Sequence, residues 1–318
     1  MTSESKVIGN YIKLKDSGEI KINSEILEDL YRHFCSVTKC DTFDKSKIRV
    51  KSKKLIKTPD SYFPDIFSIP INIVERWIRF LNLNSVPGLN SKLDLDKGKY
   101  EGGFKVWEST NDLVDFLIKD DIFIGQLLRR DDNLRVLELG AGAALPSLAL
   151  IGRLIKDLDF QSNYTFHIQD YNWQVLISLT LMNFAANLPE DFLKALIDTR
   201  CLRYFYGDWK HFKKNSKTKY ELIMMSEAIY NSDSYGPLYE LLVNHLKPDG
   251  YVVIATKDTY FGLSGGLYSW IEYIEVKRHL VPCKIVQTST TNIPRSILIL
   301  RKRQHRTDLV SSIPSNSQ

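Results

Sequence analysis

Residues 135–142 read Arg-Val-Leu-Glu-Leu-Gly-Ala-Gly, a short apolar strand that runs at once into two glycines. Gly140 and Gly142 let the chain leave that strand in a tight turn, so a ligand can approach the backbone and the N-terminus of the next helix. The next helix is readable as Leu145 to Leu158, with Pro146 tolerated in its first turn. Outward from this point strands and helices alternate. Thr165 to Gln169 predicts a second strand ending in Asp170, and Trp173 to Asn187 a helix stopped by Pro189. Cys201 to Phe205 predicts a third strand leading into Gly207-Asp208-Trp209, and Glu221 to Met225 a fourth ending in Ser226-Glu227. A helix from Pro237 to Leu246 precedes a fifth strand, Tyr251 to Ala255. Gly266 to Leu280 reads as a helix, and Lys284 to Thr288 with Ser296 to Leu300 as a closing hairpin. On the other side of the glycines, Thr110, Leu113, Val114, Leu117 and Ile118 share one helical face, with Ser109 as the expected N-cap. The alternation predicts an α/β fold: a doubly wound, Rossmann-like sheet of seven strands, mostly parallel, closed by an antiparallel hairpin. Ligands of such sheets bind at the carboxyl ends of the strands.

The chain has 318 residues, 43% hydrophobic and 25% charged, and 43 Lys and Arg against 38 Asp and Glu leave a net charge of +5. That composition supports a buried core and does not by itself mark a nucleic-acid binder. No apolar run approaches the ~20 residues of a membrane helix, and no apolar stretch behind Met1 reads as a secretory signal. Cys35, Cys40, Cys201 and Cys283 form no CxxC pair and the six histidines show no metal spacing, so neither a disulfide scaffold nor a metal is expected. His167, inside the second strand, is expected to be a satisfied core residue. The expectation is a monomer of the cytoplasm or nucleus without membrane contact.

Residues 1–99 read as an irregular helical extension, partly disordered and basic. It holds a helix from Ser24 to Phe34 with Ser24 as cap, a basic run from Lys45 to Lys57, and a short amphipathic stretch from Ile73 to Leu81. Residues 100–304 form the α/β domain and residues 305–318 a polar tail. The basic run is the candidate for a weak RNA contact. Because the pocket is built after Tyr100, the extension is expected to leave it untouched.

Chemistry gathers at the strand ends. Leu145 stands where a dinucleotide fingerprint needs its third glycine, which argues against a nicotinamide cofactor. Glu138, two residues before Gly140, gives instead the acidic-x-Gly-x-Gly arrangement of S-adenosylmethionine (SAM) enzymes. Asp170 can accept hydrogen bonds from ribose hydroxyls, and Asp208 can receive an adenine amino group. Trp209 can cover the ring, although a core aromatic would look the same. Glu227 lies where a transferred methyl would be presented, and a glutamate ending a buried strand needs a partner.

Glu101-Gly102-Gly103-Phe104-Lys105-Val106-Trp107-Glu108-Ser109-Thr110 resembles the Gly-Gly-x-Lys-x-Trp-Glu-x-Thr/Ser segment of seven-β-strand protein-histidine N-methyltransferases. Gln169-Asp170-Tyr171-Asn172, Ser226-Glu227-Ala228-Ile229-Tyr230-Asn231 and Lys257-Asp258-Thr259-Tyr260-Phe261-Gly262 resemble that family's later motifs in the same order, over roughly Tyr100 to Leu300. Ala141 departs from relatives with cysteine between the glycines, and Ala228 from relatives with threonine. The resemblance implies methylation of the tele nitrogen of a histidine in a large-subunit ribosomal protein, with SAM as cofactor and S-adenosylhomocysteine as product. It implies a cofactor site of Trp107, Glu108, Glu138, Gly140, Gly142, Asp170, Tyr171, Asn172, Asp208, Trp209 and Ser226. It also implies an acceptor pocket in which Glu227, Tyr230, Asn231 and Tyr260 act, with Lys257 and Phe261 beside them. The acidic-x-x-Tyr pattern from Glu227 to Tyr230 fits protein-lysine methyltransferases as well, and a non-catalytic ribosome-assembly factor of this fold is the third reading.

Overall fold

The computed structural model describes residues 17–38, 68–69, 100–130, 133–158, 164–290 and 293–303. In chain order the first elements are β1 (Ser17–Ile20), α1 (Ser24–Thr38), α2 (Glu108–Lys119) and α3 (Phe123–Arg130). Then come β2 (Arg135–Leu139), α4 (Leu145–Leu158), β3 (Thr165–Asp170), the helix α5 over 173–187, α6 (Glu190–Asp198) and β4 (Leu202–Gly207). The chain closes with α7 (Phe212–Asn215), β5 (Tyr220–Ser226), α8 (Tyr235–His245), β6 (Leu246–Lys257), α9 (Leu267–Lys277), β7 (Leu280–Ser289) and β8 (Arg295–Lys302).

The strands form one sheet in the order β1-β4-β3-β2-β5-β6-β8-β7. Strands β2 to β6 run parallel, β8 is antiparallel to β6, and β7 is antiparallel to β8. The chain builds outward from β2 through β3 to β4, then returns to lay β5 on the other flank of β2. That reversal opens a crevice above the carboxyl ends of β2 and β5. Alternate residues serve opposite faces of the sheet. Val136, Leu222 and Met224 join one apolar cluster, whereas Leu137, Leu139, Ile223 and Met225 join the other. Burial on both faces explains why these strands read as nearly unbroken apolar runs.

Two local expectations are corrected and two features are added to them. The cap of α1 is Asn23, whose Oδ1 accepts the Ile26 N–H at 2.8 Å, so Ser24 is already inside the helix. Helix α2 starts at Glu108 without a side-chain cap, which leaves the Ser109 hydroxyl for another task. Helix α6 was not read from the sequence, although Leu193, Leu196 and Ile197 lie buried on one stripe. Helix α5 carries a π-turn at Leu176–Thr180, where the Thr180 hydroxyl donates to the carbonyls of Val175 and Gly142.

The extension also adds an eighth strand. Strand β1 pairs antiparallel with β4, from Ser17 opposite Gly207 to Ile20 opposite Tyr204. Glu19 holds Arg203 at 2.6 Å and Arg200 at 2.9 Å, and burial of Ile20, Leu27, Leu30 and Phe34 ties residues 17–38 into the main core. Ile69 is buried as well, its N–H donated to Asn183 Oδ1 at 2.8 Å. Asn183 Nδ2 in turn donates to the Ala143 carbonyl at 2.9 Å, just after the glycine turn. The extension therefore braces the pocket region instead of standing clear of it. The run from Lys45 to Lys57, the stretch from Ile73 to Leu81 and the tail 305–318 lie outside the described residues.

Candidate functional site

The glycine turn is held from every side. Gly140 has φ +61° and Gly142 φ +51°, left-handed values that a β-carbon disfavours. The N–H groups of residues 140, 141 and 142 donate to Gln169 Oε1, the Gln169 carbonyl and Asp170 Oδ2 at 3.3, 2.9 and 2.9 Å. A β-carbon on Gly142 would stand 2.9 Å from the Gly103 carbonyl, so the Gly102-Gly103 segment lies directly over the turn. At Gly140 the corresponding space is open, with nothing within 4 Å.

That space belongs to a cavity of about 260 Å³ between Gly102-Gly103, the turn, Asp170-Tyr171, Asp208-Trp209 and Ser226-Glu227. The Asp170 carboxylate is buried, and burial pushes it up to about 6 against the N–H bonds of Asn172 and Gly142 that lower it. Trp209 Nε1 is fixed to Gln169 Oε1 at 2.9 Å, which sets its indole at the end of β4. Asp208 Oδ1 accepts the Lys210 N–H at 2.9 Å. A carboxylate at the end of β3, an indole at the end of β4 and an open left-handed turn after β2 suit a ribose, an adenine ring and an amino-acid chain respectively.

Trp107, Gly140, Gly142, Asp170, Tyr171, Asp208, Trp209 and Ser226 all line this cavity, together with Glu227, Tyr230 and Asn231. Glu138, Glu108 and Asn172 do not. The Glu138 carboxyl turns beneath the turn and accepts from the N–H of Ser147, at 3.0 Å, and from its hydroxyl, closing the start of α4. Burial pushes it up to about 8, opposed by those two bonds. Glu108 reaches out to Lys257 Nζ at 3.2 Å, and Asn172 Oδ1 accepts the Glu101 N–H at 3.3 Å. These three position the wall from behind.

A second cavity, also about 260 Å³, shares Glu101, Trp107, Glu227 and Tyr230 with the first and continues to Lys257, Tyr260 and Phe261. The junction is built of paired phenols and carboxylates. Glu227 Oε1 accepts the Ser109 hydroxyl at 2.6 Å, and its Oε2 accepts the Tyr260 hydroxyl. The Tyr230 hydroxyl donates to Glu101 Oε2. Burial, reinforced by those carboxylates, pushes both phenols above the ordinary tyrosine range and keeps them as donors. Glu227 has φ +52°, a left-handed residue whose N–H is tied to the Ala255 carbonyl at 2.9 Å. Ser226 Oγ meets Thr110 Oγ1 at 2.9 Å. Asn231 Oδ1 is used to cap the short turn Ser232–Ser234, so Asn231 serves the wall of the first cavity and does not line the second.

No part in the site was expected of Glu101, Ser109, Gln169 or Thr180. Glu101 adjoins the double glycine, and Ser109 was hidden by its plausibility as a cap. His167 is a core residue as expected, its Nδ1 2.6 Å from the Tyr220 hydroxyl.

With this geometry in hand, the similarity to known proteins is specific. A family profile described as "Lysine methyltransferase" matches residues 89–261, more than half of the chain. The chain belongs to that methyltransferase family. Two relatives in the family are named "Histidine protein methyltransferase 1 homolog": one from Dictyostelium discoideum, 33% identical over 60% of this chain and 55% of its own, and one from Rattus norvegicus, 34% identical over 59% and 53%. "Histidine protein methyltransferase 1" of Schizosaccharomyces pombe is 27% identical over 69% of this chain and 70% of its own. The chain thus spans about half the length of the first two relatives. The cofactor of this methyltransferase family member is S-adenosylmethionine, and the first cavity has the donors and the shape to hold it.

Proposed function

We propose that this chain is a SAM-dependent protein-histidine N-methyltransferase that modifies the tele nitrogen of a histidine in a large-subunit ribosomal protein. The observation that carries the reading is the junction of the two cavities at Glu227, Glu101, Tyr230 and Trp107. SAM supplies an electrophilic methyl on a sulfonium centre. The chain's own contribution is to hold an acceptor nitrogen in line with that methyl and to fix its proton elsewhere, so positioning and electrostatics supply the rate.

Neutral imidazole carries one lone pair for attack and one N–H. A carboxylate that accepts the N–H at the pros nitrogen leaves the tele nitrogen facing the methyl. Glu227 and Glu101 stand at the junction for that task, each steadied by a phenol that donates to it. The names of the relatives support histidine as the acceptor. The family's description favours a second reading, lysine, whose ammonium would first have to lose a proton to such a carboxylate.

The test is to incubate the full chain with isotope-labelled SAM and large ribosomal subunits purified from cells that lack this protein, and then to locate the label by mass spectrometry with fragmentation. Label on a histidine, released on hydrolysis as tele-methylhistidine, is the expected result. Label on lysine establishes the second reading, and no label on any subunit protein removes the ribosomal substrate.

A further inference from the structure

The edge of the sheet opposite the cavities carries its own chemistry. Strand β5 begins after Lys217 and Lys219, β7 begins after Arg278, and β8 ends at Lys302, with Arg303 next in the chain. Because β8 runs against its neighbours β6 and β7, all of these positions fall at one end of the sheet. Lys213, on α7, extends the same row.

The row is continuous. The Arg303 N–H donates to the His279 carbonyl at 2.8 Å and its Nε to the Arg278 carbonyl at 2.9 Å, which joins the β8 end to the β7 start. Lys302 sits near Lys219: burial first, and then the charge of Lys219, hold its ammonium below the ordinary lysine range. His245 is held low by burial and, beyond that, by Lys219 and Lys213. Like charges thus crowd together, and among the described residues none of these six side chains forms an ion pair with a carboxylate. Glu221, the acid buried at this end, is already taken by Arg135 and Lys247.

We infer that this basic edge is a docking surface for the phosphate backbone of RNA. Adjacent strands lie about 4.8 Å apart, so cations at the ends of β5, β8 and β7, with Lys247 and Asp249 of β6 between them, form a line that a flexible polyanion can follow. An anionic membrane is the less fitting partner. Peripheral membrane binding draws on inserted apolar side chains as well as charge, and among the described residues Val276 is the one exposed large apolar residue adjoining the row. The seven residues of β5 put this edge roughly 20 Å from the cavities, so RNA docked here leaves the acceptor opening clear. The inference does not depend on which side chain is methylated.

The experiment is fluorescence anisotropy of a labelled 20-nucleotide polyuridine RNA titrated with the full chain at 50 to 200 mM KCl. Each phosphate neutralised on a single strand adds about −0.7 to the slope of log affinity against log salt. Replacing Lys213, Lys217 and Lys219 together by alanine removes three charges, so the slope should flatten by about 2 and affinity should fall at least about tenfold. Circular dichroism and calorimetric SAM affinity should match the wild type. Arginine at the same three positions should restore binding, which a loss through misfolding would not. Replacing Lys51, Lys53 and Lys54 by alanine separates any contribution of the basic run from Lys45 to Lys57. Unchanged RNA binding by the triple alanine variant overturns the inference. So does binding to phosphatidylserine vesicles in the absence of binding to RNA.

Discussion

Glu227 occupies left-handed backbone, which costs a residue with a β-carbon about 1–2 kcal/mol. Bonds from the Ser109 and Tyr260 hydroxyls, and the bond its own N–H donates to the Ala255 carbonyl, hold it there. A hydrogen bond to a charged group contributes about 1.5–3 kcal/mol, so Ser109→Ala should lower kcat by roughly 10- to 100-fold. Calorimetry should find SAM affinity nearly unchanged, and an equal loss of cofactor binding would show that Ser109 serves the first cavity instead. Glu227→Gln keeps a neutral acceptor in place and should lose less activity than Glu227→Ala. Glu138 makes the contrasting case. Its folded pKa is raised from the ordinary 4.5 to about 8, so the stability it contributes is fully present below pH 4.5 and is lost as pH rises toward 8. Glu138→Gln cannot ionise. Its Tm advantage over the wild type should therefore grow between about pH 4.5 and 8 and level off above, with SAM affinity changed little. Both carboxylates were legible as strand-end acids. Their directions followed from register: Glu138 shares a sheet face with Val136, under α4, and is thereby aimed at Ser147. Glu227 lies one residue past the end of β5, beyond the alternation, and only tertiary packing could place it.

Strands β2 to β6 and β8 were legible because each carries an apolar run, whereas β7, mostly exposed, begins at Leu280, ahead of the expected Lys284, and α6 was readable in principle from Leu193, Leu196 and Ile197 behind two first-turn acids. Strand β1 had no such signal. Ser17–Ile20 buries only Ile20, and its partner β4 is nearly two hundred residues away, so nothing local announces the pairing. Its position nevertheless matters for the site, since Ser17 lies opposite Gly207, directly before Asp208 and Trp209. Removing residues 1–21 strips that edge and the Glu19 pairs, and should lower Tm and weaken SAM binding by roughly three- to tenfold, about one hydrogen bond's net contribution at the adenine end. Removing residues 1–57 is more severe. It also takes away Leu27, Leu30 and Phe34, and four buried side chains at about 1.5–3 kcal/mol each rival the whole stability of a domain. Circular dichroism and thermal melting should find that truncation unfolded or aggregated. A folded protein with intact SAM affinity would mean that residues 17–38 merely decorate the sheet.

At the scale of the whole molecule, the switch point between β2 and β5 sets the first cavity, and the segments before α2 and after β6 close the second cavity beside it. Both were legible in part: Glu227, Tyr230, Lys257, Tyr260 and Phe261 were expected in the second cavity and line it, whereas Glu108, Glu138 and Asn172 were expected in the first and do not, and Glu101, which meets Tyr230 only after the chain has folded, was missed in both. The acceptor is where histidine and lysine readings part, and proton chemistry separates them. A free imidazole has a pKa near 6.5, and only its neutral form can attack. Lysine, near 10.4, is almost wholly protonated at neutral pH and must be deprotonated in the site. With SAM saturating, a histidine acceptor therefore predicts a methylation rate that falls in acid around the imidazole pKa and runs nearly flat from about pH 7.5 to 9. Tyr230 and Tyr260, both held above the ordinary tyrosine range, add no titration of their own in that window. A lysine acceptor predicts a rate still climbing above pH 9. The measurement is the initial rate of label transfer to one substrate, and to the same substrate with its target histidine changed to lysine. Efficient methylation of the lysine version, with a rate that rises through pH 9, would overturn the histidine assignment while leaving the cofactor site as described.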